Sequence, residues 1–193
     1  MYAEAGHFRS RVVMERHAYG RGEYQYFARP LPELIATLRR QFYDGLYPIA
    51  NHWAESLRSE RRFPATYDEF LAECHAQGQT RPTPLLLRYG AGDYNRLHQD
   101  LYGACVFPMQ IVILLSDPQS FAGGELCLLE QRPRMQSRVS VVPIRQGEAI
   151  VFAVHHRPVP TARGVARAIM RHGVSELRVG ERHTLGVILH DAA

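Results

Sequence analysis

The sequence predicts an α+β protein, in which a mainly helical first part buttresses a barrel of short strands. Three observations carry this. Apolar residues recur at helical spacing through the early part of the chain. From Pro82 and Pro84 onward the pattern changes to short runs rich in Val, Ile and Leu, set apart by Gly, Pro, Asp and Ser. The length, 193 residues, suits one domain, and no internal repeat is visible. A chain of this size buries about 70 % of its unfolded surface, enough for a core without disulfides or structural metal.

The elements follow in order. Arg11-Val12-Val13 and Tyr24-Gln25-Tyr26-Phe27 read as short strands. Pro32 stands in the first turn of a helix whose apolar positions are Leu34, Leu38 and Phe42. Ile49, Ala50, Trp53 and Leu57 continue that face, with Trp53 in the core. Thr66-Tyr67-Asp68-Glu69 is a capping box that starts a second helix at Phe70-Leu71-Ala72. Strands are expected at 85–89, 110–116, 125–130, 140–143, 149–154, 169–174 and 184–190. Such strands build a sandwich or jelly roll. The expected organisation is one domain over 1–193, with 1–84 as mainly helical support and 85–193 as the barrel.

Composition excludes several chemistries. All 23 basic residues are arginine, against 19 acids, for a net charge of +4. Without lysine there is no Schiff base, no pyridoxal-phosphate anchor and no Walker-type phosphate lysine. Carboxylate or phosphate must be held by arginine, a planar bidentate donor. Cys74, Cys105 and Cys127 are far apart and form no CxxC, which argues against a zinc ribbon or thioredoxin-like site. So sparse a set suits a reducing compartment, and a cytoplasmic location is expected. The apolar runs, such as Ile111 to Leu115, are strand-length, and residues 1–10 lack the apolar core of a signal peptide.

Chemistry concentrates in Tyr89-Gly90-Ala91-Gly92-Asp93-Tyr94-Asn95-Arg96-Leu97-His98-Gln99-Asp100. His98 and Asp100 stand two apart, so on an extended segment they point to the same side. A second histidine from a distant strand would complete a two-His, one-carboxylate face with open metal positions. His172 follows a strand signal, and ten residues on, Arg182 opens Arg182-His183-Thr184-Leu185-Gly186-Val187. In this pattern the chain resembles the Fe(II)- and 2-oxoglutarate-dependent dioxygenases. Gly123-Gly124-Glu125-Leu126 and Gly147-Glu148-Ala149-Ile150-Val151-Phe152 are similar to turns that open central strands in that superfamily.

The resemblance implies a double-stranded β-helix, a cupin-like jelly roll. It implies Fe(II) on His98, Asp100 and His172, with 2-oxoglutarate and O2 as cosubstrates. Arg182, Thr184 and Tyr89 would anchor the far carboxylate of 2-oxoglutarate. His155 and His156 compete for the place of His172, since Arg163 and Arg167 follow them. Those arginines read as part of a Gly/Pro/Ala-rich loop over 157–168, with no strand to hold them, so the pair is expected at the rim or behind the ligands. His7, His17, His52, His75, His183 and His190 are expected as surface or satisfied core residues. Tyr94 and Tyr102 flank the HxD, and Tyr102 is a candidate substrate contact.

The substrate is read from charge. Residues 131–173 hold eight arginines and one acid, Glu148. Such a surface suits phosphate, with Arg132 and Arg134 as candidate contacts. Glu130-Gln131-Arg132-Pro133-Arg134 and Leu97-His98-Gln99-Asp100-Leu101-Tyr102-Gly103 resemble a bacterial family of 2-oxoglutarate oxygenases predicted to act in oxidative demethylation of damaged nucleic acid. Against this, 131–173 offers one aromatic, Phe152, expected in the core, and so no base-stacking platform. Two other readings stand beside it: a prolyl-type, other amino-acid or small-molecule hydroxylase, and a cupin-type metal-binding protein without activity.

Overall fold

The computed structural model describes residue 2 and residues 5–162 and 164–193. In chain order the elements are β1 (Phe8–Val13), β2 (Gly20–Arg21), β3 (Glu23–Phe27), α1 (Glu33–Ser56), α2 (Tyr67–Ala76), β4 (Leu85–Tyr89) and β5 (Tyr94–His98). There follow β6 (Met109–Leu114), β7 (Phe121–Gly123), β8 (Leu126–Gln131), β9 (Arg138–Val142) and β10 (Ala149–Ala153). The last are β11 (His156–Thr161), β12 (Gly164–Val174), β13 (Leu177–Gly180) and β14 (Arg182–Ile188).

The strands make two large antiparallel sheets and a two-stranded ribbon of β7 with β13. One runs β1-β3-β4-β14-β6-β10; the other runs β2-β5-β12-β8-β9, with β11 also paired to β12. The expected double-stranded β-helix is present. Strand β14 shows how the layers are divided. Its period-two alternation sends Leu185 and Val187 outward, into a buried cluster with Ile35, Tyr43, Phe70 and Phe107. Arg182, Thr184, Gly186 and Ile188 face a cavity on the other side. The helices therefore cover one sheet and leave its inner face for the site.

Helix α2 begins as its sequence predicts. The Thr66 hydroxyl accepts from the Glu69 N–H at 3.3 Å and donates to the Glu69 carboxylate at 2.7 Å. Helix α1 keeps part of its expected face, with Ala50 buried and Leu38, Phe42 and Trp53 packed partly buried against the core, but its most buried positions differ. Its buried stripe is Ile35, Arg39, Tyr43, Ala50 and Ala54, whereas Leu34 is 62 % exposed. Arg39 is the reason: from the buried face its guanidinium donates to Asp191 Oδ1 and to the Leu189 carbonyl, both at 2.9 Å. Trp53 packs partly buried against the same cluster.

The segment expected as a loop over 157–168 is instead a hairpin. His156 to Thr161 of β11 pair in register with Ile169 to Gly164 of β12. Pro158 and Pro160 are tolerated because β11 has a partner on one side only, an edge position where a missing N–H costs little. Arg167 thus stands on a strand, and Arg163 lies outside the described residues.

Candidate metal and cosubstrate site

The turn after β4 is closed by Asp93, whose carboxylate accepts from the Gly90 N–H at 2.8 Å. It sends the chain back as β5, which ends on His98. Asp100 lies two residues further, 7 % exposed. Strand β5 pairs with β12 so that His98 is opposite His172, their ring centroids 4.2 Å apart. The register slips after His172, and Gly173 fills the slip: a Cβ there would stand 2.7 Å from the Asn95 carbonyl oxygen. One ligand atom from each of His98, Asp100 and His172 comes within 4.8 Å of the others.

The protonation pattern suits a cation. His98 Nδ1 lies 2.7 Å from the Arg96 carbonyl, which can only accept, so Nδ1 carries the proton and Nε2 keeps its lone pair. Burial lowers the His98 pKa, and the neighbouring His172 adds to it. For Asp100, burial works upward but is outweighed by the hydrogen bond from His172, the charges of both rings and the Tyr102 hydroxyl, which donates at 2.6 Å. The carboxyl is held well below the usual range. His172 Nε2 is 3.3 Å from Asp100 Oδ2, and the Gln110 amide nitrogen is 3.2 Å from it. Two imidazoles and an ionised carboxylate converging on one point form a two-His, one-carboxylate donor set of the kind that holds Fe(II).

Tyr89, Arg182 and Thr184 stand on the same cavity wall, all essentially inaccessible to solvent. Tyr89 and Arg182 are direct partners across the β4–β14 ladder, with the guanidinium carbon 5.8 Å from the ring centre. Burial lowers the Arg182 pKa, while Tyr89 and Glu125 oppose the shift. Burial pushes the Tyr89 hydroxyl up to about 12 despite the cation beside it. Arg182 Nη1 is buried and has no hydrogen-bond partner among the described residues. A buried cation with an unused donor is costly unless an anion joins it, so this wall suits a carboxylate. His183 points the opposite way, as expected, and its ring meets Tyr2.

The cavity holds about 620 Å³ and has His98, Asp100, His172, Arg182 and Thr184 in its lining. That is ample for a small dicarboxylate beside part of a larger substrate. Several of its walls were not legible beforehand. Phe152 lines it, its ring centroid 4.9 Å from His172, rather than serving only as core. Tyr24 and Tyr26 reach it from β3, and Tyr26 donates to the Tyr102 hydroxyl at 3.2 Å. Tyr102 lines the cavity as well, with its hydroxyl committed to Asp100. Tyr19, 51 % exposed, also lines it and stacks on His17 with centroids 5.4 Å apart.

The remaining candidates lie elsewhere. His155 and His156 touch each other, at 4.3 Å between centroids, and are not in the cavity lining. Burial, His156 and Arg167 push His155 down to about 4. Arg132 and Arg134 line a second cleft with Pro160 and Ala166. Arg132 donates to Glu130 at 2.7 Å, and Arg157 pairs with the other oxygen of the same carboxylate. Along β12, Ala166 is six residues from His172, roughly 20 Å at strand spacing.

Residues 22–192 match the model of the Oxygenase-NA family, described as an oxygenase catalysing oxidative methylation of damaged DNA. The uncharacterized protein Rv2227 of Mycobacterium tuberculosis is 50 % identical over 168 residues, 86 % of this chain and 72 % of that one. Among solved structures, a prolyl-4-hydroxylase of Pseudomonas putida is similar at a TM-score of 0.45 and 16 % identity, covering 89 % of this chain and 72 % of its own. A 2OG-Fe(II) oxygenase family oxidoreductase of Burkholderia pseudomallei is similar at 0.41 and 22 %, covering 59 % and 45 %. The chain belongs to the Oxygenase-NA family and is an oxygenase built on a double-stranded β-helix.

Proposed function

We propose that this oxygenase uses Fe(II) and 2-oxoglutarate to hydroxylate a methyl carbon on a damaged nucleic-acid base. One observation carries the reading: the convergent donors of His98, Asp100 and His172 share a cavity with the unpartnered buried guanidinium of Arg182. His98, Asp100 and His172 would hold the metal. Arg182 would bind the far carboxylate of 2-oxoglutarate, with Thr184 and Tyr89 shaping its seat. With O2, the bound metal and cosubstrate supply the oxidising power, 2-oxoglutarate leaving as succinate and carbon dioxide.

The chain's own residues bind, orient and exclude water. Tyr102 fixes the Asp100 carboxylate through its 2.6 Å hydrogen bond. Phe152 packs on His172 and keeps that side of the site apolar. At the mouth, the exposed Tyr19 face backed by His17 is a surface on which a flipped base can stack. This is the platform that residues 131–173 lack. Exposed Arg134, Arg138, Arg167 and Arg171 remain for phosphates, whereas Arg132 and Arg157 are tied to Glu130. On an N-methyl group this chemistry removes the methyl. Hydroxylation gives a hemiaminal, its O–H proton passes to nitrogen, and the C–N bond breaks to release formaldehyde.

The test is succinate and formaldehyde release with a methylated single-stranded oligonucleotide, beside a proline peptide. The oligonucleotide should drive both. Tyr19→Ala should raise its KM roughly 5- to 150-fold, the value of one stacked base, and leave the KM for 2-oxoglutarate unchanged. Turnover with the peptide alone would overturn the nucleic-acid substrate and keep the oxygenase chemistry. Absence of 2-oxoglutarate consumption in every case would overturn both.

A further inference from the structure

Outside the cavity, two of the three thiols meet. Cys74 is in the last turns of α2 and fully buried; Cys105 is on the segment between β5 and β6 and 8 % exposed. Their sulfurs are 3.4 Å apart, with the Cys74 thiol aimed at Cys105. Gln79 fixes the backbone that presents Cys105: its Oε1 accepts from the Cys105 N–H at 2.6 Å and its Nε2 donates to the Cys105 carbonyl at 3.0 Å. The guanidinium of Arg61, 40 % exposed and itself paired with Glu73, comes within 3.8 Å of the Cys105 sulfur.

We propose that Cys74 and Cys105 are a redox site that closes to an intramolecular disulfide on exposure to peroxide. The geometry assigns unequal roles. Cys105 is nearer solvent, beside a cation and a donated thiol proton, which together favour its thiolate. The hydrogen bond from Cys74 lowers the Cys105 pKa, against burial, and Arg61 adds to that, while the same bond and burial raise Cys74. Cys105 thiolate attacks one peroxide oxygen, the O–O bond breaks and hydroxide leaves, giving a sulfenic acid. The Cys74 sulfur then attacks the Cys105 sulfur, the S–O bond breaks, and water leaves with the Cys74 proton. Two thiols and one peroxide become one disulfide and two waters.

The sulfurs must approach by roughly 1.4 Å to reach the ~2.05 Å of a disulfide. The bond would tie the end of α2 to the segment that also carries Asp100 and Tyr102. Cys127, on β8 with its thiol directed at the Glu125 carbonyl, is an internal control.

The experiment treats the folded chain with hydrogen peroxide in the presence of a chelator, then unfolds it, alkylates free thiols and maps them by mass spectrometry. The expected result is loss of two hydrogens, one alkylated cysteine (Cys127), a Cys74–Cys105 crosslinked peptide, and reversal by dithiothreitol. The oxidised protein should melt roughly 5–10 °C higher, as expected for closing a loop of this length. Cys127→Ser should keep the crosslink. Cys74→Ser should abolish it and leave Cys105 as a sulfenic acid that dimedone captures. Three alkylatable cysteines after oxidation of the folded wild type would overturn the site, as would a crosslink through Cys127. Failure of dimedone to label Cys105 in Cys74→Ser would overturn its role as the attacking thiol.

Discussion

The Tyr102 hydroxyl donates to Asp100 Oδ1 at 2.6 Å and receives a hydrogen bond from Tyr26 at 3.2 Å, so it fixes the carboxylate oxygen that lies 3.6 Å from His98 Nε2. Burial and the Asp100 charge hold the Tyr102 pKa far up, which keeps the phenol a donor. Removing an outer hydrogen bond of this kind costs metal sites about 10- to 100-fold in affinity. Tyr102→Phe is expected to weaken Fe(II) or Mn(II) binding by that factor with little change in secondary structure. Competition with a fluorescent chelator measures it; affinity equal to wild type would show that Tyr102 does not position Asp100.

Gly173 stands where β12 slips against β5, between the two histidines' strands. Gly173→Ala would bring a methyl to 2.7 Å from the Asn95 carbonyl and force the strands apart. The expected cost is about 1–3 kcal/mol of stability, in the range of other overpacked sites, together with weaker metal binding as His172 and His98 separate. Urea unfolding and the same metal competition read the two effects. Full stability and full affinity would contradict the register described for these strands.

Asp191 gathers Arg39, Arg29 and His75 around one buried carboxylate. Burial alone would raise its pKa, but Arg39, the His75 hydrogen bond and Arg29 hold it below the usual value. The folded protein therefore takes up this proton less readily than the unfolded chain. The resulting stability is complete above the unfolded carboxyl pKa of about 3.9 and is lost as pH falls through the lower folded value. Asp191→Asn should cost about 3–5 kcal/mol near neutral pH, because Arg39 is left buried and unpaired. Urea melts should show the gap between variant and wild type closing as pH falls through the lowered folded value. A gap that stays constant across the range would mean that the pair does not carry this stability.

What was legible in the sequence was whatever depends on strand period. His98 and Asp100 share a side because they are two apart, and Arg182 and Thr184 share the inner face of β14 for the same reason, with His183 on the other. On α1 the buried Arg39 was missed and the exposed Leu34 taken for core, because a charge at helical spacing reads as solvent-facing. Its partner Asp191 is 152 residues away, beyond any local pattern. The β11–β12 hairpin was hidden by Pro158 and Pro160, which a lone edge strand tolerates. The aromatic wall of Tyr19, Tyr24 and Tyr26 was out of reach for another reason. It joins the cavity only through the pairing of β2 with β5 and β3 with β4.

The proposed function seats the far carboxylate of 2-oxoglutarate on Arg182, beside a metal on His98, Asp100 and His172. Anaerobic titration of the Fe(II)-loaded protein with 2-oxoglutarate tests it, followed through the weak visible charge-transfer band of the chelate. Wild type should develop the band and saturate. Arg182→Ala should need roughly 30- to 1000-fold more cosubstrate, the 2–4 kcal/mol of a buried charge-assisted contact, while its metal-free form melts no lower than wild type because an unpaired buried charge has gone. An unchanged titration in Arg182→Ala, or no band in wild type, would contradict the assignment of this wall.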